Sequence, residues 1–117
     1  MKYVAIVGSR RRTDRETVDR LVAQLPAETV IISGGAAGPD SWAEEAARKY
    51  GRNMHVIHPD LGDARSQGQR TRRYHARNQR IVDWADEMFA LVAADRRGGT
   101  EDVIRRAQRK GIPVTLL

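Results

Sequence analysis

Five short apolar runs alternating with four helical patterns predict an α/β protein, a doubly wound parallel sheet of about five strands with helices on both faces. The runs are residues 3–7, 30–33, 54–58, 88–92 and 113–117. They are continuously apolar rather than alternating, as expected of parallel strands covered on both sides. Glycine-containing turns follow the first, second and fourth runs. In such a sheet those turns gather at one edge, where ligands bind.

The helices follow in order. Val18, Leu21, Val22 and Leu25 form one stripe at helical spacing, and Thr13 with Glu16 three residues later predicts a capping box in front of it. A second helix is expected from about residue 40 to 50, with Trp42, Ala43, Ala46, Ala47 and Tyr50 on one side. Asp40 is its expected N-cap, or an acceptor for a ribose or base donor, and Gly51 is its terminator. A third spans roughly 70–85 with Ile81, Val82 and Ala85 inward. A fourth runs from about 100 to 110 with Val103, Ile104 and Ala107 inward, and ends at Gly111. Residues 59–69 are polar and poor in apolar anchors, so this loop is expected to be the least ordered, either a lid or a plain connection.

The 117 residues fit one domain, 1–117, of a size that buries a self-sufficient core. The absence of cysteine excludes disulfides, zinc–thiolate sites and cysteine nucleophiles. His55, His58 and His75 lack metal-ligand spacing, so no metal site and no cofactor are expected. No stretch reaches the roughly 18 apolar residues of a membrane span, and no signal peptide precedes the first strand. A cytoplasmic protein is therefore expected. The net charge is +6, carried by 18 arginines against three lysines. That balance favours anionic partners, and the planar guanidinium suits phosphate in particular.

Three turns carry the candidate chemistry. Gly8-Ser9-Arg10 after the first strand supplies a tight turn, a hydroxyl and a cation, though without the G-x-G-x-x-G spacing of a dinucleotide site. Gly34, Gly35, Ala36 and Gly38, followed by Pro39 and Asp40, open onto the second helix. Free amides there and the helix dipole predict an anion cradle, and the missing Gly-Lys-Ser/Thr excludes a Walker-type loop. Gly98, Gly99 and Thr100 after the fourth strand repeat the pattern, with Thr100 as cap or phosphate donor. Arg77 and Asn78 on the third helix are the polar groups expected to point at the sheet edge. Trp42 and Trp84 are expected in the core rather than as base-stacking platforms.

The segments VAIVGSR, IISGGAAGPDSWAEEAA, ARNQRI and GGTEDVIRRAQRKGIPV, in this order, resemble the SLOG superfamily. That group includes the YspA-like proteins, the LOG or "lysine decarboxylase-like" phosphoribohydrolases and the Rossmann domain of DprA. The YspA-like branch is the nearest in appearance. The resemblance implies a Rossmann-like fold and a nucleotide or ADP-ribose-like ligand held by Gly8–Arg10, Gly34–Asp40, Arg77, Asn78 and Gly98–Thr100. It also implies a homodimer. LOG-type enzymes hydrolyse nucleoside 5′-monophosphates with an arginine, matched by Arg77, and a glutamate, whose place is taken here by Val103. Glu101 and Asp102 are the neighbouring carboxylates.

The leading expectation is therefore binding of a nucleotide-type phosphate ligand, as a sensor. The alternative is N-glycoside hydrolysis, with Arg77, Glu101 and Asp102 as its catalytic groups. Nucleic-acid binding ranks third. The charge favours it, but the aromatics are few and are expected to be buried.

Overall fold

A computed structural model describes residues 2–117. The chain runs β1 (Tyr3–Gly8), α1 (Arg15–Gln24), β2 (Val30–Ser33), α2 (Pro39–Lys49), β3 (Asn53–Val56), α3 (Gln67–Trp84), β4 (Glu87–Leu91), α4 (Gly99–Lys110), β5 (Val114–Leu116). The five strands form one parallel sheet in the order β3-β2-β1-β4-β5. From β1 the chain first adds strands on one side, then crosses to β4 and adds β5 on the other. The topological switch therefore lies between β1 and β4.

Each central strand splits its side chains between two cores. Val4, Ile6, Ile31 and Leu91 pack with Val18, Val22, Ala43, Ala46 and Ala47 of α1 and α2. Ala5, Val7, Ile32, Met88 and Ala90 pack with Ile81, Val82, Val103, Ile104 and Ala107 of α3 and α4. The predicted stripes are thus the buried ones, and the Rossmann-like doubly wound architecture expected from the sequence is the observed one. Burial fades toward the edges. Residues of β3 alternate between exposed and half-buried, so this run is not covered on both faces as expected.

Several local expectations change. Helix α1 begins at Arg15 after Asp14, because the Asp14 carboxylate is held by Arg12 at 2.6 and 2.8 Å instead of capping, and Thr13 forms no capping box with Glu16. Helix α3 begins three residues earlier than predicted. The Ser66 hydroxyl accepts from the Gln69 amide at 3.1 Å while the Gln69 side-chain oxygen accepts from the Arg65 amide, a reciprocal cap at the start of the helix. Trp84 is 49% exposed. It closes the last turn of α3 at the rim of the core, with Tyr3 and His55 rings at 5.7 and 5.2 Å. Among the described residues no helix is long and apolar enough to cross a membrane.

Candidate functional site

Three loops leave the carboxyl ends of neighbouring parallel strands: β1 at Gly8, β2 at Ser33 and β4 at Leu91. With the middle of α3 and the first turns of α4 they line a cleft of about 790 Å³, a size typical of small-ligand pockets. Gly8, Ser9, Arg10, Gly34, Gly35, Ala36, Asp40, Arg77, Asn78, Gly98, Gly99, Thr100 and Asp102 all line it. Gly38 and Glu101 do not. Gly38 sits behind the wall, where an added Cβ would meet the Arg10 Cα at 3.2 Å. Glu101 turns away to hold Arg96 through two 2.9 Å hydrogen bonds.

The two glycine loops prove chemically different. In the β2–α2 loop the amides nearest β2 are already used. The Gly35 amide donates to the Ser33 hydroxyl at 3.1 Å, and the Gly34 amide donates to Asp40 Oδ2 at 3.0 Å. Asp40 is therefore not the N-cap. Gly38 takes that place and Pro39 the first helical position, so the Asp40 side chain lies one step inside α2 and folds back onto the loop. The open anion cradle predicted at residues 34–38 is filled at Gly34 and Gly35 by the chain's own oxygens. In the β4–α4 loop the amides of Gly98, Gly99 and Thr100 meet no protein acceptor among the described residues. Gly98, at φ +107°, is the N-cap, and the Thr100 side chain makes no capping bond. Those three amides stand at the positive end of a 12-residue helix, an arrangement that favours an anion.

Cations line the same cleft. Arg10, Arg11, Arg77, Arg97 and Arg105 line the cleft. Arg11 is engaged by Asp95 at 2.6 and 3.0 Å, an exposed pair that a ligand can displace cheaply. Arg77 reaches across from α3 as the sequence suggested. It donates Nη1 to the Gly34 carbonyl and Nε to Asn78 Oδ1 at 3.0 Å, and has no carboxylate partner within ion-pair distance among the described residues. Burial lowers the Arg77 pKa, and the nearby Asp40 charge only partly offsets this. Burial also pushes the Asp40 carboxyl up to about 6, against the opposing pull of Arg77 and of the Gly34 and Ala36 amides.

Asp102 is nearly buried on the opposite wall. Burial alone would raise its pKa, but hydrogen bonds from Arg106 at 2.8 Å and Asn78 at 3.0 Å outweigh it and hold the group below the ordinary carboxylate range.

The sequence reading missed Thr71, Tyr74 and His75, which also line the cleft. Together with Asn78 they recur at three- and four-residue spacing, so they share one face of α3. That spacing was visible; the orientation of the face was not. Tyr74 is 40% exposed, with the Arg77 guanidinium 5.6 Å from its ring centre, and His75 Nε2 lies 3.8 Å from Asp102. The 59–69 loop forms no cover: Pro59 is the residue of it that reaches the cleft, and Arg73 ties Asp60 and Asp63 at 3.3 and 2.7 Å.

Residues 1–68 match the family model of DNA recombination-mediator protein A. The whole fold is similar to the X-ray structure of DNA processing protein A (DprA) from Streptococcus pneumoniae, with a TM-score of 0.82 at 23% sequence identity. The alignment covers 99% of this chain and 50% of that one, so this chain spans about half the length of the solved relative. No curated protein matches the chain.

Proposed function

The chain belongs to the DNA recombination-mediator protein A family, and from that premise we propose that its arginine-lined cleft binds the phosphodiester backbone of a DNA strand. The observation that carries this reading is the set of free amides at Gly98, Gly99 and Thr100 facing Arg10, Arg77, Arg97 and Arg105. A phosphate seated there receives backbone hydrogen bonds, the α4 dipole and bidentate guanidinium contacts together. The half-exposed Tyr74 ring beside Arg77 offers a surface on which an unpaired base can stack, which favours a single strand over a duplex. This reverses the order of expectations drawn from the sequence, in which nucleic acid ranked last.

The test is fluorescence anisotropy with a labelled oligothymidylate over a salt series. Two or three seated phosphates give a log–log slope of about −1.4 to −2.1. Replacing Arg10 and Arg97 by Gln should flatten that slope and weaken binding. No binding at low salt removes the reading.

The expected mononucleotide-type ligand remains the second reading, favoured by the small-ligand size of the cleft. A mononucleotide that competes as well as the oligomer, monomer for monomer, favours it. Hydrolysis of the N-glycosidic bond would require a carboxylate facing the ligand. Glu101 is turned away, so Asp102 and Asp40 are the groups placed for it. Chromatography of the same incubations for free base decides that point.

A further inference from the structure

Two buried acids line the cleft: Asp102, paired with Arg106, and Asp40, 5% exposed and with no ion-pair partner among the described residues. Its carboxylate occupies the place that an anion would take at the start of α2. Oδ2 accepts the Gly34 amide at 3.0 Å, and the Ala36 amide also favours its charged form. Directly across the same residue, the Gly34 carbonyl accepts from Arg77. An added Cβ on Gly34 would lie 2.8 Å from Asp40 Oδ2 and 2.9 Å from Arg77 Nη1. The two side chains therefore converge on one bare glycine without forming a direct ion pair. The Asp40 charge acts on Arg77 across this glycine, and the Nη2 edge of Arg77 carries no protein hydrogen bond among the described residues.

We propose that Asp40 is a resident anion that fills the β2–α2 cradle at Gly34 and Ala36, positions Arg77 as the recognition cation, and leaves the phosphate to the open Gly98–Thr100 amides. The assignment rests on the DNA-binding reading of the cleft and says how that cleft is set. Asp40 is a positioning residue in this scheme and touches no ligand itself. The groups facing it are the Gly34 and Ala36 amides, Arg77 from α3 and Glu44 from its own helix. The Ser33 hydroxyl donates to its backbone carbonyl at 3.2 Å. A neutral group of the same shape keeps the acceptor for Gly34 but removes the pull on Arg77. Removing the acceptor altogether vacates a cradle that a small free carboxylate can enter.

The experiment compares the full chain with Asp40→Asn, Asp40→Ala, Arg77→Gln and the Asp40→Asn/Arg77→Gln pair. Oligothymidylate affinity is measured by anisotropy between pH 5 and 8, with and without formate. If Arg77 contributes a charge-assisted contact, Arg77→Gln weakens binding about tenfold. Asp40→Asn should cost a comparable factor and the double variant little more, because both remove one interaction.

Wild-type affinity should fall as pH drops through about 6, where Asp40 takes up its proton, and this component should be absent from Asp40→Asn. Formate should raise both the affinity and the Tm of Asp40→Ala and leave the wild type unchanged. Tighter binding by Asp40→Asn would show that Asp40 merely repels the ligand, and additive losses in the double variant would show that it does not act through Arg77. Either result overturns the assignment while the cleft reading survives. If Arg77→Gln itself binds normally, the role given to Arg77 fails, and with it the assignment of Asp40.

Discussion

Gly8 is where the sheet meets the site, and replacing it with alanine tests how tightly the two are joined. An added Cβ would lie 2.6 and 2.7 Å from the Pro39 ring and 2.9 Å from the Leu91 Cβ. Carbon atoms settle at about 3.5–4.0 Å, so the neighbours must retreat by about 1 Å. Neither can swing aside: Leu91 belongs to the central strand β4 and Pro39 is the first residue of α2, with its ring fixed. The whole helix start has to move. Overpacking of this kind costs about 1–3 kcal/mol. For a domain of this size each kcal/mol lowers Tm by about 4 °C, which places the expected loss at about 4–12 °C.

Gly34→Ala is the natural comparison. Its added Cβ meets Asp40 Oδ2 and Arg77 Nη1, the far ends of flexible side chains, so its stability loss should be smaller while DNA affinity falls. Thermal and urea unfolding followed by circular dichroism measure both variants. A Gly8→Ala protein melting within about 1 °C of the wild type, or one more stable than Gly34→Ala, would refute the claim that β1, β4 and the α2 start form one rigid frame.

Two further outcomes follow from the same geometry. The folded Asp40 carboxyl, near 6, lies above its ordinary value of 3.8. The folded state therefore holds more protons than the unfolded chain between these values, and stability should rise as pH falls from 7 to 5. The separation corresponds to at most about 3 kcal/mol. Asp102, with its depressed pKa, acts in the opposite sense and only below the ordinary carboxylate range. Tm measured against pH should show the rise in the wild type and not in Asp40→Asn; a flat wild-type profile contradicts it. Separately, Lys110 Nζ donates to the carbonyls of Val82, Asp83 and Ala85 at 2.7, 3.0 and 3.0 Å, closing the end of α3 from α4. Lys110→Met should cost about 1–3 kcal/mol in urea unfolding, with an unchanged denaturant slope.

Much of the site was legible because it follows from strand order alone. Once Gly8, Gly34 and Gly98 were assigned to the ends of parallel strands, their convergence was required by topology, and Arg77 could be aimed inward from its spacing to Ile81. What was not legible was competition for hydrogen bonds. Both glycine loops present the same pattern of free amides in sequence. Whether Asp40 caps its helix or folds back onto Gly34 depends on how far Gly38 and Pro39 carry the chain before α2 begins. Tyr74 and His75 were missed for a related reason: a polar stripe on α3 has the same spacing whether it faces solvent or a cleft. Trp84 was misplaced because helical spacing gives the angle of a side chain around its axis. It does not show that the core ends at the last turn.

The amino-acid sequence alone determined the alternation of strands and helices, the two buried faces of the sheet and the edge at which the glycine turns gather. These depend on local periodicity and on the handedness of parallel crossovers. Only the tertiary structure decided which glycine amides the chain's own oxygens occupy. That choice turns on a carboxylate and a guanidinium brought to one glycine from α2 and α3, elements 37 positions apart at Asp40 and Arg77. Contacts of that range leave no period in the chain.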